Sequence, residues 1–244
     1  LSLAYEWDNS GLLLRCSNEV SRVLISLDVT GDIIDEAVSL GCDMILSHHP
    51  LIFEPVKSLS ISRASDAALM RLIREGISLY AAHTSFDRAV GGMGDALASA
   101  LGLIKPETAD EGEGLLRVGR LEKTLSKGEF IEYVKQKLGV RAVCASRSGS
   151  DTVGRVAVAG GSGGAFIEAA KLAGADALVT GEAKHHHFIE AGSQGVLLVA
   201  AGHYETESCF AAQVFMSLQS SLNELQLNVE LLTANSARSP YEHM

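Results

Sequence analysis

The chain has 244 residues, enough for one large domain or two modest ones around a sizeable core. Hydrophobic residues make up 47% and charged residues 20%, which excludes disorder along most of the length. The 30 acidic and 20 basic residues leave a formal charge of −10, a field that repels phosphate backbones and argues against general nucleic-acid binding. Cys16, Cys42, Cys144 and Cys209 are widely spaced and form no CxxC pair. Neither a disulfide framework nor a Cys-rich zinc site is indicated, and a reducing compartment, the cytoplasm, is the expected location. The longest apolar runs, such as 195–201, fall far short of the ~20 residues of a membrane span. No signal-peptide pattern is visible from Leu1 onward, and any address carried upstream lies out of view.

In chain order, the apolar run 23–27 predicts a first buried strand. Asp35-Glu-Ala-Val-Ser-Leu-Gly-Cys-Asp43 follows, then Met-Ile-Leu and Ser47. The same order of acid, helix formers, Gly, Asp, apolar triplet and hydroxyl returns after the strand-like run 156–159. Its second copy is Glu168-Ala-Ala-Lys-Leu-Ala-Gly-Ala-Asp176, then Ala-Leu-Val and Thr180. The pattern predicts a strand, a short helix, a glycine stop and a second strand: a βαβ unit used twice. All-apolar runs at 77–82 and 195–201 predict a further strand in each copy, buried on both faces. Helices are expected over 65–75, 94–101 and 207–225. Residues 106–114 read as an acidic loop, followed by a strand at 115–121, a helix at 127–138 and a polar stretch at 146–151. The expected fold is α/β, with two pseudo-equivalent lobes built on mostly parallel sheets. Its expected divisions are 1–105, a connecting segment 106–154, and 155–244.

In such sheets ligands bind beyond the carboxyl ends of the strands, and here those ends carry most of the histidines. One strand runs into His48-His49-Pro50, the next into His83-Thr-Ser-Phe-Asp87. In the second copy the strands run into Thr180-Gly-Glu182 with His185–His187, and into Gly202-His203-Tyr-Glu-Thr-Glu207. A private hydrogen bond would account for one such histidine, but fits four His-bearing strand ends poorly. Imidazole and carboxylate suit zinc, iron or manganese, and no thiolate accompanies them. With Pro50 ending the strand, His48 and His49 can diverge toward two neighbouring ions. His203 and Glu207 are spaced i, i+4, on one face of a helix that begins there. Asp87 and Glu207 each offer two oxygens for bridging. The metal reading therefore falls on His48, His49, Asp87, His203 and Glu207.

His83 reads as a support or core histidine rather than a ligand. Within the run 185–187, His186 is the candidate for proton transfer, with Glu182 supporting it. Asp28 reads first as a helix cap. Gly160-Gly-Ser-Gly-Gly164 reads first as a tight strand–helix turn, with contact to a phosphate as the alternative. The cluster Gly91-Gly-Met-Gly94 reads as a pliable loop before a helix.

These motifs resemble, in order and over nearly the whole chain, those of the GTP cyclohydrolase I type 2 homologues, a family that includes the YbgI and Nif-three-like proteins. Trp7-Asp-Asn-Ser-Gly11 is similar to the family's opening WDN-x-G. Ser47-His-His-Pro-Leu-Ile-Phe53 and His83-Thr-Ser-Phe-Asp87 resemble its HHPLIF and HTNLD signatures, with Ser85-Phe86 in place of Asn-Leu. The glycine turn, Thr180-Gly-Glu182 with His186, and Gly202-His-Tyr-Glu-Thr-Glu207 complete the series, Glu182 standing where Asp is common. The resemblance implies a dinuclear metal centre on the same five residues, a ring-like homohexamer, and a short form without an inserted domain. The family name implies opening of the guanine ring of GTP with loss of formate. The site chemistry itself reaches to metal-assisted hydrolysis of a nucleotide or other phosphate-containing small molecule, with two divalent ions as cofactors. A metal-binding scaffold or regulatory interaction protein is the rival class.

Overall fold

A computed structural model describes residues 3–109 and 114–242. The acidic centre of the expected loop, 110–113, lies outside the described residues. The chain divides into two compact units, Leu1–Phe86 with Phe210–Arg238, and Asp87–Cys209 with Ser239–Met244. Both are α/β, and parallel strands form the centre of each sheet.

The first unit runs β1 (Gly11–Leu14), β2 (Arg22–Ser26), α1 (Gly31–Ser39), β3 (Met44–Ser47), α2 (Ala64–Glu75), β4 (Ser78–Ala81) and α3 (Thr84–Asp87), whose last residue begins the second unit. The second runs α4 (Met93–Ala100), β5 (Ile104–Thr108), β6 (Arg117–Ser126), α5 (Lys127–Leu138), β7 (Cys144–Ala145) and β8 (Thr152–Ala159). A 3-10 turn (Gly163–Phe166), α6 (Ile167–Leu172), β9 (Ala177–Thr180), α7 (His185–Gln194), β10 (Leu197–Ala200) and α8 (His203–Glu207) complete it. The chain then returns to the first unit with α9 (Phe210–Glu224) and β11 (Glu230–Thr233).

The first sheet has the order β1-β4-β3-β2-β11, antiparallel only at β1. The second has the order β5-β6-β8-β9-β10-β7, parallel through β8, β9 and β10. Leu24, Ile45 and Leu79 pack with Ile33, Ile34 and Leu72 of the covering helices in the first unit. Two apolar clusters, one containing Val156, Val179 and Val199 and the other Ala157, Leu178 and Leu198, form the core of the second. Neighbouring strand residues alternate between those clusters, as they must in a sheet buried on both faces.

The repeat has a physical basis. In both copies the glycine stop, Gly41 or Gly174, takes the left-handed conformation (φ 65° and 71°) that ends the helix. The aspartate two residues later reaches back to the start of the preceding strand. Asp43 accepts from the Ser21 and Arg22 amides (2.9 and 3.2 Å), and Asp176 from those of Gly154 and Arg155 (both 2.8 Å). Burial alone would raise the Asp43 carboxyl, but these donors and the Ser21 hydroxyl outweigh it and hold its pKa below the usual carboxylate value.

Some expectations differ from what is observed. The expected boundaries at 105 and 154 are not where the chain divides. Residues 106–154 supply β6, α5, β7 and the edge of the second sheet, while β11 pairs in parallel with β2 of the first. Residues 104–108 form a strand despite Pro106, because β5 is an edge with an irregularity between Ile104 and Glu107, where a missing N–H is tolerated. The single helix expected over 207–225 is broken by a turn at Ser208 and Cys209. Glu207 instead closes α8 in the second unit, and α9 belongs to the first.

Candidate metal centre

In the first unit β3 and β4 deliver their histidines together. Strand-like pairing continues past their ends. His48 and His49 amides donate to the Leu27 carbonyl (3.1 and 3.0 Å), and the Ala82 amide to that of Ser47 (2.8 Å). Each imidazole is then fixed through Nδ1. His48, fully buried, donates to the Ala82 carbonyl (2.9 Å), His49 to Asp28 Oδ1 (2.8 Å) and His83 to Asp8 Oδ1 (2.7 Å). Carbonyl and carboxylate oxygens only accept, so each Nδ1 carries a proton, and in the neutral ring the lone pair is on Nε2. One ligand atom from each of the three rings lies within 4.8 Å of the others. An oxygen acceptor behind each ring is the arrangement that fixes and strengthens histidine ligands.

His83 is held below the usual imidazole pKa, mainly by burial; Asp8 opposes the shift, while His48 and His49 add to it. It is therefore neutral, the ligating form, at neutral pH. Burial would raise the Asp8 carboxyl, yet donors from Ser10, Thr84 (both 2.6 Å) and His83 bring it below the ordinary value. Asp28 is not the helix cap. Thr30 caps α1 by accepting from the Ile33 amide, which leaves Asp28 to hold His49.

In the second unit the i, i+4 expectation is met on α8. His203 Nε2 lies 3.1 Å from Glu207 Oε2, and Nδ1 lies 3.4 Å from Glu182 Oε2. Glu207 is buried with only 5% of its side chain accessible, whereas Glu182 is exposed and accepts from the Ser162 hydroxyl (2.9 Å). The glycine turn abuts this pair. Gly161 has φ 56°, and a methyl group there would fall on the Glu207 carboxylate and 3.1 Å from His203 Nε2. Its amide donates to Thr206 Oγ1 (3.2 Å) and that of Gly163 to Thr180 Oγ1 (2.8 Å), so these two donors are committed within the fold. Close approach, rather than an anion cradle, accounts for the small residues.

Asp87 closes α3, half-buried. The segment after it is anchored by Arg117, 2% exposed in β6. Arg117 pairs with Asp95 (2.7 Å) and donates to the carbonyls of Ala89 (3.1 Å) and Gly114 (2.7 Å). The expected pliable loop is thus pinned. A cavity of about 750 Å³ in the second unit is lined by, among others, Ser162, Glu182, Lys184, His187, His203 and Tyr241. His186 is exposed on the first turn of α7, and His187 takes the lining position. Burial pushes the Cys209 thiol up to about 11, with Glu207 adding to the shift, so this neighbour of the carboxylate stays protonated. The donor set is one of nitrogen and oxygen, and the residues present fit a divalent cation of the zinc, iron or manganese kind.

Two sheets with parallel central strands and histidines beyond the strand ends define an α/β protein with a candidate metal centre. The chain belongs to the Duf34/NIF3 (NGG1p interacting factor 3) family, whose pattern it matches over residues 1–240. It is 36% identical over 217 residues to the GTP cyclohydrolase 1 type 2 homolog of a Nostoc species, covering 86% of this chain and 82% of that one. The protein of the same name from Clostridium acetobutylicum is 28% identical over 249 residues, with 99% and 93% covered. A crystal structure of a Bacillus cereus protein related to NIF3 superposes with a TM-score of 0.92 at 27% identity, covering 99% of this chain and 94% of that one. No described helix is long and apolar enough to cross a membrane.

Proposed function

We propose that this protein binds two divalent ions through His48, His49, Asp87, His203 and Glu207, and hydrolyses a nucleotide or other phosphate-containing small molecule. The observation that carries the reading is the anchoring of His48 and His49 through Nδ1, with the likewise anchored His83 beside them as their support. Each acceptor satisfies a buried or half-buried imidazole N–H, and three such rings oriented side by side are the arrangement that supports ligation. The His203–Glu207 pair on α8 supports a second group of ligands. The ring-like homohexamer and the cytoplasm belong to the same reading.

When bound, a pair of divalent cations lowers the pKa of water toward neutrality and polarises the bond under attack. His49 is oriented by Asp28, and His203 faces Glu182, which Ser162 holds in turn. We assign proton movement to Glu182 and His186, the latter exposed and so in exchange with solvent. The cavity beside Glu182 and His203 is within the ≈300–1,000 Å³ typical of small-molecule sites. In a screen of metal-loaded protein against GTP and related nucleotides, the expected result is turnover that His48→Ala abolishes. No turnover by the loaded protein, or equal turnover by the variant, overturns the catalytic reading in favour of a metal-binding scaffold.

A further inference from the structure

The segment that orients His83 also displays aromatic surface. Asp8 is buried, while its neighbour Trp7, the only tryptophan of the chain, is 59% exposed. A turn closed by the Asp8 amide on the Tyr5 carbonyl (3.2 Å) stacks the Tyr5 and Trp7 rings, with centroids 4.9 Å apart and planes 16° from parallel. Phe53, 50% exposed, lies tilted beside Trp7 at 6.0 Å and meets the His83 ring edge-on at 6.2 Å. Asn9 Nδ2 donates to the Ile52 carbonyl (2.5 Å), so the segments carrying Trp7 and Phe53 are tied to each other. A continuous path of ring contacts therefore leads from Tyr5 to the histidine cluster, all within the first unit.

Leaving a large aromatic side chain in water forfeits the favourable free energy of burying it. Here the exposed rings are held in register by hydrogen bonds, which is a built surface rather than a loose one. We propose that Tyr5, Trp7 and Phe53 form a stacking plate for the planar heteroaromatic ring of the substrate, beside the His48–His49–His83 cluster. The inference rests on the reading of that cluster as the reacting end of the site. A flat ring is the matching occupant. Stacking on aromatic side chains holds a base and tolerates different bases, since each has a π-face. The sequence neighbours Glu6 and Glu54 are exposed and acidic, so this surface suits the ring of a nucleotide and not its phosphates. A second copy of the chain is a poorer occupant. Whole aromatic side chains bury about 150–250 Å² each, and three partly exposed ones offer well under the ≈800 Å² per partner of a stable dimer.

Trp7 is its own reporter, because no other tryptophan contributes to the emission. Metal-loaded full-length protein is titrated with GMP, AMP and ribose 5-phosphate, following tryptophan fluorescence and, separately, calorimetric affinity. Expected are saturable quenching by both nucleotides and none by ribose 5-phosphate. Trp7→Leu is expected to weaken calorimetric GMP binding by about tenfold or more, and Trp7→Phe to restore most of it. Phe53→Leu, altered at the plate's other edge, is expected to weaken binding while the Trp7 signal remains readable. Absent quenching, quenching by ribose 5-phosphate alone, or wild-type affinity in Trp7→Leu overturns the plate. Quenching that requires a concentration-dependent dissociation of oligomers overturns it in favour of a second copy. The two readings fail separately. Metal-dependent turnover with unchanged GMP affinity in Trp7→Leu removes only the plate, whereas ring-dependent quenching without any metal-dependent turnover removes only the hydrolase.

Discussion

Arg117→Met is expected to cost about 3 kcal/mol of stability, the low end of the range for breaking a buried ion pair because Asp95 is 27% accessible. The guanidinium is almost wholly buried and distributes its donors over the Asp95 carboxylate and the carbonyls of Ala89 and Gly114. Methionine fills much of the volume but leaves those acceptors without their donors, which is the costly half of the exchange. The segment they belong to starts at Asp87, a proposed ligand, so local loosening is expected to reach the metal site as well. Arg117→Lys is expected to rescue only part of the loss, since a single ammonium cannot span the same fork of acceptors. Thermal melts of both variants test this, with a drop of roughly 6–12 °C expected for the methionine variant. A melt within a degree of wild type would refute the anchoring role.

Gly161→Ala is expected to lower metal affinity by about 10–100-fold, the range seen when the support of a ligand is disturbed. Two effects coincide at this position. The backbone is left-handed (φ 56°), which costs a non-glycine residue about 1–2 kcal/mol. The added methyl would also fall on the Glu207 carboxylate, which is buried and lacks room to withdraw, and would crowd His203 Nε2. Equilibrium dialysis against zinc or manganese, paired with a melt of the metal-free protein, separates the two. Backbone strain alone lowers the melt without changing ion retention, whereas the proposed crowding reduces retention beyond what stability explains.

Much of the fold is legible in the sequence because its signals are local. The repeat of helix formers, Gly and Asp marks two βαβ units, because the helix stop and the aspartate that tethers the preceding strand stand two residues apart in both copies. Proline at 106 points to a loop, since only the sheet order shows that this stretch is an edge where proline is allowed. The helix 207–225 reads as continuous because its apolar period runs on through Ser208 and Cys209, with no glycine or proline to mark the turn.

The candidate site divides in the same way. His48, His49, His203 and Glu207 stand at strand ends or at helical spacing, and their residue types alone suggest ligation. The groups that orient them are remote and plain. Asp8 reaches His83 across 75 positions and Asp28 reaches His49 across 21, and neither spacing forms a motif. Asp28 resembles a cap because it precedes a helix, yet Thr30 is two residues closer and takes that role. Arg117 carries no signal at all beyond a charge in a strand, where an exposed position is the ordinary expectation. The preference for His186 over its neighbours follows a motif, while the side of α7 that lines the cavity depends on the helix phase, which a run of three histidines conceals.

The most direct test is the number of ions per chain in protein purified without chelator, compared among wild type, His49→Ala and Glu207→Ala. About two ions per chain are expected in the wild type, as in a two-metal site. Each substitution is expected to remove metal. Full retention of both ions by either variant would contradict the proposed ligand set.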